Sequence, residues 1–445
     1  MRTARPHPAR TVAVAFLAAI AAGAALLMLP VARAGDGSAP FLTALFTSTS
    51  AITTSGMSTV DTATYWSGFG HVLLAVLTQT GGFGITTFAT LLGLIVSQRL
   101  GLRGRMMAGV ETSTGLAHGD FRPVLILAAV VMFACETVIA GFVTARLWLT
   151  YDVPFGPALA EGAFNAVQAF NNCGFSLRSD GLTGFAADWW ICLPLTLGVV
   201  AGGIGVPVIY EIVRQRHRPA AWSTHTRLTV WGTLALLAIG FATVLALEWR
   251  NPATLGPLGV PGKILAAFVQ GTIPRSGGFN TVDYGAMHED TSAVVTVLMF
   301  IGGGSASTAG GIKVTTFFLL AYVIWTEVKG ERDVVIGRRR IAESTQRQAT
   351  SVALLGVATV AAGTLTLLAV TSAVPFDRAL FEVMSAFSTA GLTNGLTAEL
   401  PGSRQLVLSV MMFVGRIGTV AVASALALNT RHRLYRYPEE RPIVG

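Results

Sequence analysis

Arg275-Ser276-Gly277-Gly278-Phe279-Asn280-Thr281 is a polar, glycine-centred turn between apolar segments, and three other places in the chain repeat its plan. The counterparts are Thr53-Thr54-Ser55-Gly56-Met57-Ser58, Asn171-Asn172-Cys173-Gly174-Phe175-Ser176 and Ser388-Thr389-Ala390-Gly391-Leu392-Thr393-Asn394. In every copy the glycine is set among Ser, Thr or Asn residues. An apolar segment leads into each turn, over residues 41–51, 157–170, 262–271 and 376–387. These segments are shorter than the ~20 residues that cross a hydrocarbon core, so they read as re-entrant half-helices. Pro40, Pro157 and Pro375 stand at or near three of the starts, where a missing amide costs the helix nothing.

Long apolar segments flank each half-helix, for example residues 11–30, 123–150 and 228–247. The repeated unit is therefore span, half-helix, turn and span. Four such units are expected at 11–98, 122–215, 226–330 and 348–430, followed by a cytoplasmic tail at 431–445. Composition agrees: 52% of the residues are hydrophobic and 12% charged, against about 25% charged in a soluble domain. The expected fold is an all-α integral membrane protein, with eight transmembrane helices in four pseudo-repeated units around a central pore.

A net charge of +8 does not mark a nucleic-acid partner, because the bases collect in alternate loops. Arg2, Arg5 and Arg10 precede the first span; Arg99, Arg103 and Arg105, then Arg214 to Arg227, then Lys329 to Arg347 and Arg431 to Arg441 follow. The intervening loops carry Asp36, Asp61, Asp152, Asp180, Glu248, Glu289, Asp290 and Glu399. The positive-inside bias puts both termini in the cytoplasm and requires an even number of spans. The first apolar run with Val31-Ala32-Arg33-Ala34 imitates a cleavable leader, but its length is that of a span. Cys135, Cys173 and Cys192 have neither metal spacing nor a disulfide framework and read as packing residues.

Irregular backbone at membrane depth persists only where protein buries it or water lines it. Four such turns, one per unit, naturally meet on a common axis. Glycine permits φ > 0, so carbonyl oxygens can face that axis and replace the hydration shell of a cation. Each half-helix would aim its partially negative C-terminal end at the same region. Arg275 is the one base in any turn and precedes the glycine, which suits an outer structural role. Monovalent cation, and potassium in particular, is the expected cargo.

The second spans also share glycines: Gly81-Gly82-Phe83-Gly84, Gly202-Gly203-Ile204-Gly205, Gly302-Gly303-Gly304 and Gly415-Arg416-Ile417-Gly418. In the first two units they read as close helix packing. In the third, the run from Gly302 through Ser305, Ser307, Thr308, Gly310 and Gly311 to Lys313 is too rich in Gly, Ser, Ala and Thr to stay helical. A phosphate-binding loop is excluded because Ile312 separates Gly311 from Lys313 and no strand precedes it. The preferred reading is a flexible loop across the pathway, with Arg416 donating to its carbonyls and Lys313 adding positive potential; a base within a span marks function by default. Glu136, Arg146 and Glu211 receive no role.

At these residues the chain resembles the Trk/Ktr/HKT superfamily of potassium transporters. Arg275 to Asp283 is similar to the family's R-T-A-G-F-N-T-V-D, Asn171 to Ser176 to N-N-A-G-F-S, and Ser307 to Lys313 to S-T-A-G-G-I-K. The resemblance implies that Gly56, Gly174, Gly278 and Gly391 are filter glycines, with Thr54, Asn172, Gly277 and Ala390 completing a backbone-carbonyl site for K+. Ser55, Cys173, Gly277 and Ala390 vary the position before each glycine. It further implies a gating loop over Gly302, Gly303, Gly304, Ser305, Ser307, Thr308, Gly310 and Gly311, latched by Arg416. Relatives are homodimers on a cytosolic KtrA-like ring that binds ATP or ADP; docking is expected on the basic loops at 99–105, 214–227 and 329–340. Sodium, as activator or coupled ion, gives the alternative of sodium–potassium symport, since broken spans are also typical of carriers. An intramembrane enzyme would need clustered His, Asp or Glu within the spans, and His71, His118, His217, His225, His288 and His432 lie near loops.

Overall fold

A computed structural model describes residues 8–99, 122–337, 339–371 and 374–418. The basic segment at 100–105, the tail at 431–445, His118 and His432 lie outside them. Unit one comprises α1 (Pro8–Leu27), half-helix α2 (Phe41–Ile52) and α3 (Gly68–Arg99). Unit two comprises α4 (Arg122–Thr150), half-helix α5 (Phe155–Phe170), α6 (Trp189–Ile204) and α7 (Val206–Arg214). Unit three comprises α8 (Thr224–Glu248), half-helix α9 (Val260–Thr272), α10 (Glu289–Phe300) and α11 (Val314–Val328). Unit four comprises α12 (Glu343–Val370), half-helix α13 (Phe376–Phe387) and α14 (Gly402–Phe413), which runs into a wider turn at Val414–Gly418.

Helix starts follow from local chemistry. Extended prolines Pro40, Pro154 and Pro375 precede three of the half-helices, and Pro261 lies in the first turn of the other. Asp188 caps α6 by accepting from the Trp190 amide at 2.9 Å, and Ser223 caps α8 by accepting from Thr226 at 3.2 Å; such caps satisfy amides that have no partner within the helix. At the other end of α8, the carboxylate of Glu248 accepts from Asn251, Thr254, Thr291 and the His288 amide at 2.6–2.9 Å. That cluster ties α8 to the start of α10 without a cation.

Polarity is arranged for hydrocarbon rather than water. Trp231, Leu354 and Leu365 are about two-thirds exposed, whereas Thr47, Ser48, Thr49 and Ser50 of α2 are buried. An outward apolar face needs no aqueous partner in lipid, and buried hydroxyls can pair within the protein. Ser48, for instance, donates to Ile20 O at 2.8 Å, and Thr49 to Leu45 O at 2.7 Å. One apolar cluster joins units two and three through Ile139, Leu147, Leu195, Leu265 and Val269. Separate clusters support unit one and unit four.

Among the described residues, segments Ile126–Thr150, Thr224–Glu248 and Glu343–Val370 are each long and apolar enough to span alone. The third unit's second span is interrupted between α10 and α11, where a glycine-rich loop was expected. In unit two, α6 and α7 meet at 98°, so Gly202 to Gly205 is more than the packing surface expected of it. Gly205 takes φ +93 and Pro207 follows in the first turn of α7, a pairing that stops one helix and starts another. A two-residue ribbon, Val335–Ile336 against Arg339–Arg340, is an extended addition to the helical plan.

Candidate ion pathway

Each half-helix ends in a turn closed by bonds of its own backbone. In unit one the Ser55 amide returns to Ser50 O at 2.8 Å and Thr54 to Ala51 O at 3.0 Å. Cys173 to Gln168 and Asn172 to Ala169 repeat this in unit two, as do Ala390 to Ser385 and Thr389 to Ala386 in unit four. This is the Schellman arrangement, which closes a helix on a left-handed residue. Thr54, Asn172 and Thr389 are those residues, with φ of +51, +57 and +47. Unit three, which carries Pro274 before its turn, closes instead through Gly277 to Ile273 O at 2.8 Å, with Ser276 left-handed at φ +77.

Two residues beyond each left-handed position lie Gly56, Gly174, Gly278 and Gly391, and these glycines form a closed ring. A Cβ on Gly56 would fall 2.0 Å from Gly174 N, one on Gly174 2.2 Å from Gly278 O, and one on Gly278 2.4 Å from Gly174 Cα. A Cβ on Gly391 would lie 2.1 Å from Ser55 O and 2.9 Å from Gly278 Cα. Gly56, Gly278 and Gly391 have φ between +72 and +81, a region that L side chains avoid. Gly174 does not take positive φ, so there the requirement is close approach alone.

Glycines of the second spans let the turns come this close. Gly81 packs on Ile52 O, Gly202 on Phe170 O and Gly415 on Phe387 O; an added Cβ would fall within 2.0 Å of the last carbonyl of a half-helix each time. Unit three uses Gly240 of α8 against Gly271 of α9 instead.

On one side of the ring is a vestibule of about 300 Å³, lined by the four glycines together with Asp61 and Asp283. Burial pushes the Asp61 carboxyl up, but donation from Ser179, Thr64 and Ala63 outweighs it and holds the group below its ordinary value. Asp61 therefore keeps its charge at neutral pH.

On the opposite side, residues 301–313 cross beneath the turns. The loop is pinned at its base by Gly302 N to Ile312 O at 2.9 Å and Ile312 N to Phe300 O at 3.2 Å. Gly304 N donates to Gly203 O at 2.7 Å, and Ser305 Oγ pairs with Thr315 Oγ1 at 3.0 Å. Cβ atoms on Gly303 and Gly304 would strike Gly203 O and Ile204 O, and one on Gly311 would crowd Ser388. Ser307 is buried. Arg416 is 2% exposed and donates through Nη1 to Thr308 O, and Lys313 Nζ donates to Ala309 O at 2.5 Å. Arg275 is not peripheral as expected: its guanidinium donates to Gly302 O at 3.0 Å and Thr233 O at 3.3 Å, bracing the loop's entry.

Sequence reasoning missed Ser276 and Thr389, although a polar residue stands two places before every glycine of the ring. It also left Glu136 without a role. That carboxylate accepts from Gln79 at 3.1 Å and Asn171 at 3.2 Å, bracing the end of α5. Glu382 of α13 does similar work in unit four, accepting from Thr393, Asn394 N and Thr397 at 2.5–3.0 Å.

The sequence pattern of the TrkH family, described as a cation transport protein, matches residues 3–431. The chain is 37% identical over 438 residues to Ktr system potassium uptake protein B of Bacillus subtilis strain 168, covering 98% of this chain and 97% of that one. It is 29% identical to potassium/sodium uptake protein NtpJ of Enterococcus hirae, covering 99% and 98% of the two chains. The fold is similar to the crystal structure of the potassium transporter TrkH from Vibrio parahaemolyticus, with a TM-score of 0.73 and 17% identity over 94% of this chain and 84% of the other.

Proposed function

Because the chain belongs to the TrkH family of cation transport proteins, we propose that it is the pore-forming, gated subunit of a Ktr-type potassium uptake system. The observation that carries this reading is the ring of four glycine turns, one from each unit, closed beneath by a single glycine-rich loop. Potassium as cargo rests on the similarity to named potassium uptake proteins. The backbone carbonyls of Thr54, Gly56, Asn172, Gly174, Gly277, Gly278, Ala390 and Gly391 replace the ion's hydration shell. The four half-helix ends add partial negative charge, and Asp61 and Asp283 attract cations to the vestibule.

Beneath the ring the loop from Gly302 to Gly311 blocks the way, and Arg416 holds it through Thr308 O. Lys313 places a second positive charge below the site. Glycine lets the loop move at little conformational cost. The units at 11–98, 122–215, 226–330 and 348–430 act as four walls of one pathway, and the chain sits in the plasma membrane with both termini cytoplasmic. Two copies assemble, each with its own pathway, on a cytosolic KtrA-like ring whose ATP- or ADP-bound form moves the loop through the basic cytoplasmic segments. A second reading, in which sodium activates or accompanies potassium, is favoured by the similarity to a potassium/sodium uptake protein.

Reconstitution into vesicles tests the proposal. With an inside-negative potential, potassium or rubidium is expected to enter well ahead of sodium and lithium. Entry of all of them at one rate, or of none, would refute the reading.

A further inference from the structure

The loop does more than lie under the filter, because its bonds go to the residues that shape the filter turns. Thr308 is 3% exposed, and each of its polar groups meets a different part of the pathway. Its amide donates to Gly202 O at 3.2 Å. Its carbonyl accepts from Thr54 Oγ1 at 3.4 Å and from Arg416. Its hydroxyl donates to Asn172 Oδ1 at 2.8 Å and lies 3.1 Å from Phe170 O. Two residues on, the Gly310 amide donates to Ser276 Oγ at 3.2 Å, and that hydroxyl also reaches Thr389 O at 2.9 Å. A Cβ on Gly310 would come within 2.2 Å of Thr389 Oγ1.

Thr54, Asn172, Ser276 and Thr389 are thus the left-handed residues other than glycine in the four turns, and all of them face this one loop. Left-handed backbone is costly for residues other than glycine and persists where the surroundings over-determine it. In this protein the loop is a surrounding common to all four. Undocking it removes the bonds that Thr54, Asn172 and Ser276 make to the loop at the same moment, while Ser276 keeps its bond to Thr389 O, and so changes the constraints on three of the four turns.

On the transport reading given above, we propose that loop and filter form one two-state unit in which the transported cation is an effector of its own gate. A filled filter holds the turns in the geometry that accepts the loop; an empty one loosens that acceptance. Coupling is reciprocal by thermodynamic necessity, so whatever docking does to ion affinity, the ion does to docking. Thr308 and Ser276 are positioning residues in this scheme, acting through the turns rather than as carbonyl ligands.

Hydrogen–deuterium exchange of the full chain in lipid vesicles tests it, with potassium chloride compared against choline chloride at equal ionic strength. Peptides covering residues 302–311 are expected to exchange about fivefold or more slowly in potassium, the lower end of ordinary allosteric coupling. Thr308→Val and, separately, Ser276→Ala should bring that ratio close to one. Equal exchange in both salts, in vesicles that pass potassium, overturns the coupling while leaving the transport reading intact. So does a ratio that survives both substitutions. Vesicles that pass no potassium overturn the transport reading and this inference with it.

Discussion

At Gly278, an added Cβ would lie 2.4 Å from Gly174 Cα, and the backbone has φ +72. Gly278→Ser therefore has to move one wall of the ring and carries about 1–2 kcal/mol of left-handed strain. We expect the preference for potassium over sodium to fall by about an order of magnitude, read by competitive flux, with assembly preserved. Unchanged preference would remove this glycine from the filter. Arg416→Ala deletes a buried donor to Thr308 O; hydrogen bonds to charged groups contribute about 1.5–3 kcal/mol. Flux in the absence of any regulatory partner should rise roughly tenfold or more, and a fall would argue against the latch. The ring glycines were legible from sequence because a crowded position, left-handed in three of the four turns, has no room for a side chain. Of the residues two places earlier, Thr54 and Asn172 were legible as carbonyl donors but Ser276 and Thr389 were not, because Thr, Asn and Ser occur as readily in ordinary turns and caps. Nothing in their identity announced the conformation.

Half-helices were readable as elements because hydrocarbon thickness makes segment length diagnostic. Observed boundaries differ from the expected ones by at most two residues, the second starting at Phe155 because Pro154, rather than Pro157, precedes it. The interruption of unit three's second span was readable from its Gly-Ser-Ala-Thr composition. The 98° turn between α6 and α7 was not, since Gly202 to Gly205 serves close packing and a helix stop together. Removing residues 305–308 deletes Thr308 and its bonds to three units. Vesicle flux should increase and lose its dependence on a regulator; reduced flux with normal assembly would show that the loop is not an obstruction. A different outcome is expected at the far end of α8, where Glu248 accepts four donors. Glu248→Ala leaves the buried Thr254 and Thr291 hydroxyls without this acceptor, at about 1–3 kcal/mol for each. Thermal unfolding in detergent should shift clearly downward while ion preference in surviving protein stays the same.

For the whole molecule, the driving force separates the two transport readings. A membrane potential supplies about 2.3 kcal/mol per charge per 100 mV, so a purely potential-driven pathway needs no second ion. Uptake measured with sodium removed at constant potential should be unchanged for such a pathway and should collapse for symport. The fourfold plan was visible in the sequence because the four turns share a polar, glycine-centred composition that stands out from the apolar segments around them. Its asymmetries were not visible in full: unit three closes its turn around Pro274, and Gly174 sits in the ring without a left-handed backbone.

A pore built from four identical subunits would change every wall with each mutation. Here the walls are successive parts of one polypeptide, and among the described residues the loop proposed to obstruct the pathway occurs once, in unit three. Any one substitution touches a quarter of the perimeter, so the aperture can be retuned in small steps. On the proposed reading, opening needs no vote among subunits, since displacing one loop decides whether the conduit is open or shut.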